Sequence, residues 1–215
     1  MIVLALDGAL GAFSTAIASG GRIVASRSEA GNVALERGLA MTSEMLAQAR
    51  VVPQQIDRLA VGVGPGGFTG LRIAVAYAKS LAAAWERPLV PVDSFDLLQF
   101  GAEFERVLAV VVGRPGVISA RYRSASELLR ASGPIEEVLD VLQLRPPGPL
   151  DVIGAPKDVL HALAERDMVV RSVDPLVTPA AAAAALAAGA RTPPASPHAV
   201  RADYGELPAA KPPRV

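Results

Sequence analysis

The sequence predicts an α/β fold of two lobes, each built on a mixed sheet that is flanked by helices. Three observations lead to this prediction: short apolar runs near the start are arranged as hairpins, later apolar runs alternate with helical patterns, and the opening pattern recurs from residue 107. The recurrence suggests related lobes with a boundary near Gly101. We therefore predict a first lobe at 1–100, a second at 101–190 and a proline-rich tail at 191–215.

The chain opens with a continuous apolar run at 1–6, which ends at Asp7 and Gly8. Two further short segments at 13–19 and 22–27 are separated by a Gly-Gly pair, which predicts a hairpin. Helical spacing follows to about residue 49, and Asn32 is the predicted N-cap of that helix.

The central stretch begins with a buried strand at 59–63 and continues through a loop with five glycines between 62 and 70. Thr69 is the predicted N-cap of a helix that continues to Trp85, and Pro88 stops it. A strand at 89–92 and a helix capped by Asp93 or Ser94 complete the first lobe.

The second lobe is predicted from an apolar run at 107–112, a turn at 113–116 and an alternating strand at 117–123. The later elements are a strand at 151–153, a helix from 155 or 156 to 165, a strand at 168–172, and an alanine-rich helix that begins at Thr178-Pro179 and ends at Gly189. The tail, rich in proline, is expected to be extended or mobile.

Composition and charge exclude several classes of function. Lys plus Arg and Asp plus Glu number 21 each, so no overall field attracts nucleic acid or an anionic membrane. There is no cysteine, which excludes disulfides, thiol catalysis and thiolate metal sites. The first apolar run is short, carries Asp7 and lacks a basic leader, which argues against a signal peptide or a membrane span. Cytoplasm is the expected location.

The glycine loop suits an anion or another backbone, because glycines allow close approach and a helix N-terminus offers free N–H groups. Gly62, Gly64 and Gly67 formally match a dinucleotide-binding pattern, but Pro65 interrupts it and hairpins precede it. No Gly-Lys-Thr or Gly-Lys-Ser follows, which rejects a Walker A loop.

Asp7 and Gly8 stand where a strand meets a hairpin, so they either hold a metal and phosphate or cap backbone amides in a turn. A two-lobed ATPase needs a second carboxylate at the equivalent place, which falls at Val112 and Gly113. His161 and His198 have no partner at ligand spacing, which argues against zinc.

Small residues recur along the central helix at Ala74, Ala78 and Ala82, which would let another helix approach closely. That neighbour lies either inside the domain or across an interface. Arg72 opens the same helix and either binds an anion or a partner carboxylate or is solvated.

Residues 60–73, AVGVGPGGFTGLRI, together with Ala78 and Lys79, closely resemble the signature of the TsaB (YeaZ) family of bacterial proteins, which are needed to make threonylcarbamoyladenosine in tRNA. The resemblance extends over roughly the N-terminal half. Weaker matches lie at residues 4–7 and 88–94, and at Arg114 with Gly116.

This resemblance implies the actin-like ATPase (ribonuclease H-like) fold and kinship with TsaD, the glycoprotease-like (peptidase M22) catalytic subunit. It implies a noncatalytic dimerisation or scaffold subunit that supports TsaD in transferring threonylcarbamoyl to the tRNA adenosine next to the anticodon. The implied partners are a TsaD homologue, a second copy of the chain and a TsaE homologue, with tRNA contacted only indirectly and no membrane.

No catalytic residue, metal or cofactor is expected of the chain itself, and ATP with magnesium is expected only in complex with TsaD. Asp7 and Gly8 would be the contacts if a nucleotide bound. The helices at 33–49 and 70–85 are expected to form the partner-binding face. Its predicted residues are Glu36, Leu39, Gly70, Arg72, Ala74, Tyr77, Ala78 and Leu81.

Several positions depart from the family pattern. Gly8 stands where the family often has Thr, and the second-lobe Asp-Ala-Arg becomes Val112, Gly113 and Arg114. Of an early His-Ser-Glu only Glu36 remains. The competing class is an enzyme, either an actin-like kinase or a glycoprotease-like hydrolase, that uses Asp7 and the loop at 62–70. A dinucleotide-binding module is the third alternative.

Overall fold

The computed structural model describes residues 1–145, 148–189 and 196–205, with the backbone alone at 32–35. Its first sheet contains five strands in the order β3-β2-β1-β4-β5. The strands β1, β2 and β3 are antiparallel neighbours, whereas β1, β4 and β5 are parallel. Their bounds are β1 Ile2–Asp7, β2 Ala12–Ser19, β3 Arg22–Ala30, β4 Arg58–Gly62 and β5 Leu89–Val92.

The second sheet repeats this topology with its own five strands, in the order β10-β9-β6-β7-β8. Here β6, β7 and β8 are antiparallel, and β6, β9 and β10 are parallel. The bounds are β6 Val107–Arg114, β7 Val117–Arg123, β8 Leu128–Pro134, β9 Leu150–Ile153 and β10 Val170–Val173. The recurrence seen in the sequence is therefore a repeated sheet, and the prediction of two related lobes is confirmed.

Alternating side chains of β1 enter two different cores. Leu4 and Leu6 pack under α1 (Asn32–Gln48) and α2 (Phe68–Ala84), whereas Val3 and Ala5 face α6 (Pro179–Gly189). A strand buried on both faces reads as a continuous apolar run, which is how the sequence presents it.

The second sheet is covered in the same way. The helices α4 (Ile135–Leu142) and α5 (Lys157–Ala164) pack on one face, and α3 (Ser94–Leu98) packs on the other. The helix α3 thus lies between the two lobes. Within the described residues, no helix is long and apolar enough to cross a bilayer.

The helix α6 corrects the predicted lobe boundaries. The sequence assigns it to the second lobe at 101–190, but its alanines pack on the first sheet beside Ala16, Ala18 and Ala60. Ser14 Oγ accepts a hydrogen bond from the Ala180 N–H at 3.1 Å, which fixes the start of the helix there. The helix α6 therefore belongs to the first lobe, although it follows the strands of the second lobe in the chain.

Both predicted caps of the long helices are wrong. The helix α2 begins at Phe68 with Gly67 at the N-cap, and α1 begins at Asn32 with Gly31 at the N-cap. Asp93 does cap α3, because its carboxylate accepts the Phe95 N–H at 2.8 Å. The strand β8 and the helix α4 were not predicted from the sequence.

Candidate partner-binding face and the buried carboxyl group of Asp7

The glycine loop follows β4 and is held on all sides by its own chain. The Gly67 N–H donates to the Ala9 carbonyl at 2.8 Å, and the Gly64 carbonyl accepts the Ser94 N–H at 2.8 Å. A β-carbon on Gly64 would overlap the carbonyl oxygen of Asp203, from the C-terminal segment. These backbone groups of the loop therefore bind other parts of the same chain. Of the two partners that the sequence allowed, an anion or another backbone, the second is the one observed here.

Asp7 lies at the end of β1 and is fully buried, with 0% of its surface exposed. Its Oδ2 accepts the N–H groups of Ala9 and Leu10 at 3.2 and 3.4 Å, whereas Oδ1 has no hydrogen-bond partner among the residues that the structure describes. Burial raises the pKa of the carboxyl group to about 7, and the two backbone hydrogen bonds oppose the shift. Asp7 therefore caps a turn, the second of the two interpretations that the sequence left open.

The surroundings of Asp7 do not fit magnesium or a nucleotide phosphate. Leu97 and Gly62 close around the carboxyl group, and a β-carbon on Gly62 would overlap its Oδ1. At the equivalent place in the second sheet, near the end of β6, Val112 and Gly113 are exposed and carry no carboxylate. Within the described residues, no three His, Cys, Asp or Glu side chains are arranged to hold a metal ion.

A cluster of charges joins the two lobes, and sequence reasoning missed it. Arg121 of β7 is buried and donates to Asp96 at 2.7 Å and to Gln99 at 2.8 Å. Arg130 of β8 pairs with Asp93 at 3.0 Å, so the cap residue of α3 also binds the second lobe. These partners are far apart in sequence, and no local pattern marks them.

One of the two histidines has an acidic neighbour that the sequence interpretation did not expect. His161 is exposed on α5, and its Nε2 is 3.2 Å from the carboxylate of Glu165 one turn later. His198 lies in a 3₁₀ turn at Pro197–Ala199. Within the described residues, no third ligand is arranged with either histidine to hold a metal ion.

The face formed by α1 and α2 contains only part of the predicted partner-binding set. Glu36, Leu39 and Arg72 are exposed, and Tyr77 and Leu81 are half-buried. The Tyr77 ring meets Phe13 of β2 edge-on, with 6.1 Å between ring centroids. These five residues remain candidates for contact with a partner.

Three residues of the predicted partner-binding set, Gly70, Ala74 and Ala78, do not lie on the surface. All three are buried, and Ala74 and Ala78 have 0% exposure within the core under the first sheet. The small-residue row, with Ala82, therefore allows the helix to approach its own sheet closely. Of the two locations that the sequence allowed, the structure shows the one inside the domain.

An apolar groove of about 470 Å³ opens between α1, α2 and the turn after α1. Leu39 stands at its edge with 41% exposure, and Leu81 and Trp85 of α2 are half-buried in its wall. Val51 and Val52 close its other side. Apart from the apolar positions of the two helices, no feature of the sequence predicts a groove here.

The C-terminal segment at 196–205, which we call the strap, packs where the sequence predicts an extended or mobile tail. Val200 is only 3% exposed in the first-lobe core, and the Lys79 Nζ donates to its carbonyl at 3.1 Å. The Asp203 N–H donates to the Val63 carbonyl at 2.6 Å. The rest of the predicted tail, 191–195 and 206–215, lies outside the described residues.

Comparison with known proteins supports this architecture. The family model described as "TsaD: tRNA N6-adenosine threonylcarbamoyltransferase" matches residues 29–153. The chain is 33% identical over 122 residues to the tRNA threonylcarbamoyladenosine biosynthesis protein TsaB of Escherichia coli, covering 55% of this chain and 53% of the relative. For the Haemophilus influenzae protein of the same name, the values are 31% over 118 residues, 53% and 50%. The chain thus spans about half the length of these curated relatives.

The similarity of structure extends further than that of sequence. The solved structure of YeaZ from Pseudomonas aeruginosa superimposes with a TM-score of 0.73 at 27% identity, over 94% of this chain and 99% of that one. The two repeated mixed sheets have the actin-like ATPase fold, so the predicted fold class is confirmed. Because the family model covers more than half of the chain and the curated TsaB and solved YeaZ proteins agree with it, the chain belongs to the TsaB (YeaZ) family within the wider threonylcarbamoyltransferase family.

Proposed function

We propose that this chain is a noncatalytic dimerisation subunit that supports a TsaD homologue in transferring threonylcarbamoyl to the tRNA adenosine next to the anticodon. The observation that carries the proposal is the apolar groove between α1 and α2, with Leu39 exposed at its edge and Leu81 and Trp85 in its wall. Apolar area of this kind, with the polar side chains of Thr42 and Ser43 beside it, is typical of a protein-binding surface.

The surroundings of Asp7 support the noncatalytic part of the proposal. A magnesium-dependent nucleotide site needs ionised oxygen ligands, and the one carboxyl group at the end of β1 is buried with a raised pKa. Val112 and Gly113 add no acid at the equivalent end of β6. We therefore assign ATP and magnesium to the complex with TsaD rather than to this chain.

The partners that we propose are those that the family resemblance implies. A TsaD homologue would bind the α1–α2 face in a heterodimer, and a second copy would bind the same face in a homodimer. A TsaE homologue would join the assembly, tRNA would be contacted only through the complex, and all of this would take place in the cytoplasm. A groove shared by the two modes makes them mutually exclusive on any one subunit.

The test mixes the purified chain with the TsaD homologue of the same genome. We expect a complex at micromolar concentration and a requirement for the chain in reconstituted tRNA modification. No complex together with no requirement in reconstitution would refute the proposal. Calorimetry with ATP and magnesium tests the enzyme alternative, since tight binding by the chain alone, lost in Asp7→Ala, would favour a kinase or hydrolase.

A further inference from the structure

The strap runs beside the exposed side of α2 and encloses a second surface pocket with it. This pocket has a volume of about 420 Å³ and is separate from the apolar groove between α1 and α2. Its helical wall includes Arg72, Ala76 and Lys79, and its strap wall includes Arg201 and Tyr204. The pocket therefore exists only because the C-terminal segment packs on the helix.

Among the described residues, the charged groups of this pocket all have the same sign. Arg72, Lys79 and Arg201 line it, and no described residue of its lining is acidic. Across the described part of the chain, no carboxylate lies within ion-pair distance of these three cations. Three cations without a paired anion favour an anionic group brought from outside.

The cations are held in place by neutral contacts that leave their charges uncompensated. The Arg72 guanidinium lies 4.9 Å from the centroid of the Phe68 ring, and that ring packs on Tyr204 of the strap at 5.2 Å. The Lys79 Nζ and the Arg201 Nη1 each donate to a strap carbonyl, at 3.1 and 2.7 Å respectively. A carbonyl accepts one proton and leaves the other donors of each group available.

We propose that this pocket receives a carboxylate side chain of the protein partner, and that the strap is thereby part of the partner-binding surface. The inference rests on the proposed function, because it extends the α1–α2 face across Arg72 to the strap. Arginine binds carboxylates through paired hydrogen bonds, and Val75, Ala76 and Tyr204 give the site apolar walls suited to a protein. The net charge of zero disfavours nucleic acid as the occupant.

The experiment measures binding of the full chain to the TsaD homologue at low and at high ionic strength. Arg201→Glu is expected to weaken binding by about tenfold or more, because it places a like charge against the incoming carboxylate. Arg22→Glu, at an exposed position on the β2–β3 hairpin, is the matched control and is expected to bind like the wild type. Rising salt should weaken the wild type more than Arg201→Glu.

The outcomes separate this inference from the proposed function. Absence of binding by the wild type would overturn the proposed function and the inference with it, whereas wild-type binding that Arg201→Glu leaves unchanged would overturn the inference alone. If Arg201→Glu does not fold, Arg201→Gln removes only the charge and should still weaken binding several-fold. Binding of unmodified tRNA by the chain alone, lost in Arg201→Glu, would identify phosphate as the occupant and overturn the inference.

Discussion

A β-carbon at position 62 would overlap the Oδ1 atom of Asp7, so the contact between the ends of β1 and β4 requires glycine at this place. The pairing of Leu6 with Val61 brings Asp7 beside Gly62. The first glycine of the loop thus makes room for a buried carboxyl group. The glycine at position 62 is therefore explained by internal packing. The sequence alone also allowed an anion-binding role for this glycine.

Gly62→Ala is expected to destabilise the protein by about 1–3 kcal/mol, because the added methyl group forces Asp7 or β4 to move in a packed core. Urea denaturation measures the loss. Gly189→Ala is the matched control, since a β-carbon there meets nothing within 4 Å, and its stability should equal or slightly exceed that of the wild type. Equal stability of Gly62→Ala and the wild type would contradict the described contact.

The buried carboxyl group of Asp7 predicts a stability that falls as the pH rises. Its pKa is about 7 in the folded chain and 3.8 as the ordinary value, so between these limits the unfolded chain releases a proton that the folded chain keeps. The stabilisation is fully present below pH 3.8 and is lost as the pH rises to about 7. The loss is on the order of 4 kcal/mol.

Asp7→Asn isolates this effect, because an amide of the same shape does not titrate. The difference in unfolding free energy between the two proteins should change across that range in favour of Asn at higher pH, as measured by urea denaturation at several pH values. A difference that does not vary with pH would show that Asp7 titrates normally in the folded chain.

Ala78→Glu should destabilise the whole protein, because Ala78 is completely buried under the first sheet. A buried and unpaired carboxylate costs several kcal/mol, and the variant is expected to unfold at much lower urea or to be insoluble. Ala83→Glu, at an exposed position of the same helix, serves as the control and should fold normally. If Ala78→Glu is as stable as the wild type and loses only partner binding, the small-residue row lies at an interface and not in the core.

Leu39→Glu should weaken association with the partner by about tenfold or more while the chain remains folded, because it puts a charge at the edge of the apolar groove. Analytical ultracentrifugation of the chain alone and of its mixture with the TsaD homologue measures both modes of association. Val24→Glu, also at an exposed apolar position but on β3, should associate like the wild type. An unchanged affinity in Leu39→Glu would exclude the groove from both interfaces.

The elements that were predicted correctly have strong local signals. Buried strands such as β1 are continuous apolar runs, and Pro179 and Gly189 mark the ends of α6. The strand β8 was missed because it lies at the edge of its sheet with mostly exposed side chains, so no apolar alternation reveals it. Its pairing with β7 depends on backbone hydrogen bonds, which do not require particular side chains.

The candidate site was predicted less well than the fold. Leu39 and Arg72 are exposed and stay predicted interface residues, whereas Ala74 and Ala78, predicted for the same face, are buried. A row of small residues allows a neighbouring element to approach the helix closely. The row does not indicate whether that element belongs to the same domain or to a partner. Arg121 and Arg130 gave no signal, since their partners on α3 lie in the other lobe.

Patterns of neighbouring residues are enough to predict most of the local elements, with β8, α4 and the caps of the long helices as exceptions, and to recognise the glycine loop, the repeat and the family. The three-dimensional packing was needed to show that α6 returns to the first sheet, that the alanine row is internal and that the strap closes a pocket beside Arg72. Alanine-rich α6 has no polar face to orient it, and its place depends on small side chains of β1, β2 and β4. Such shape matching between distant segments is invisible to periodicity, and it also determines which surfaces remain for a partner.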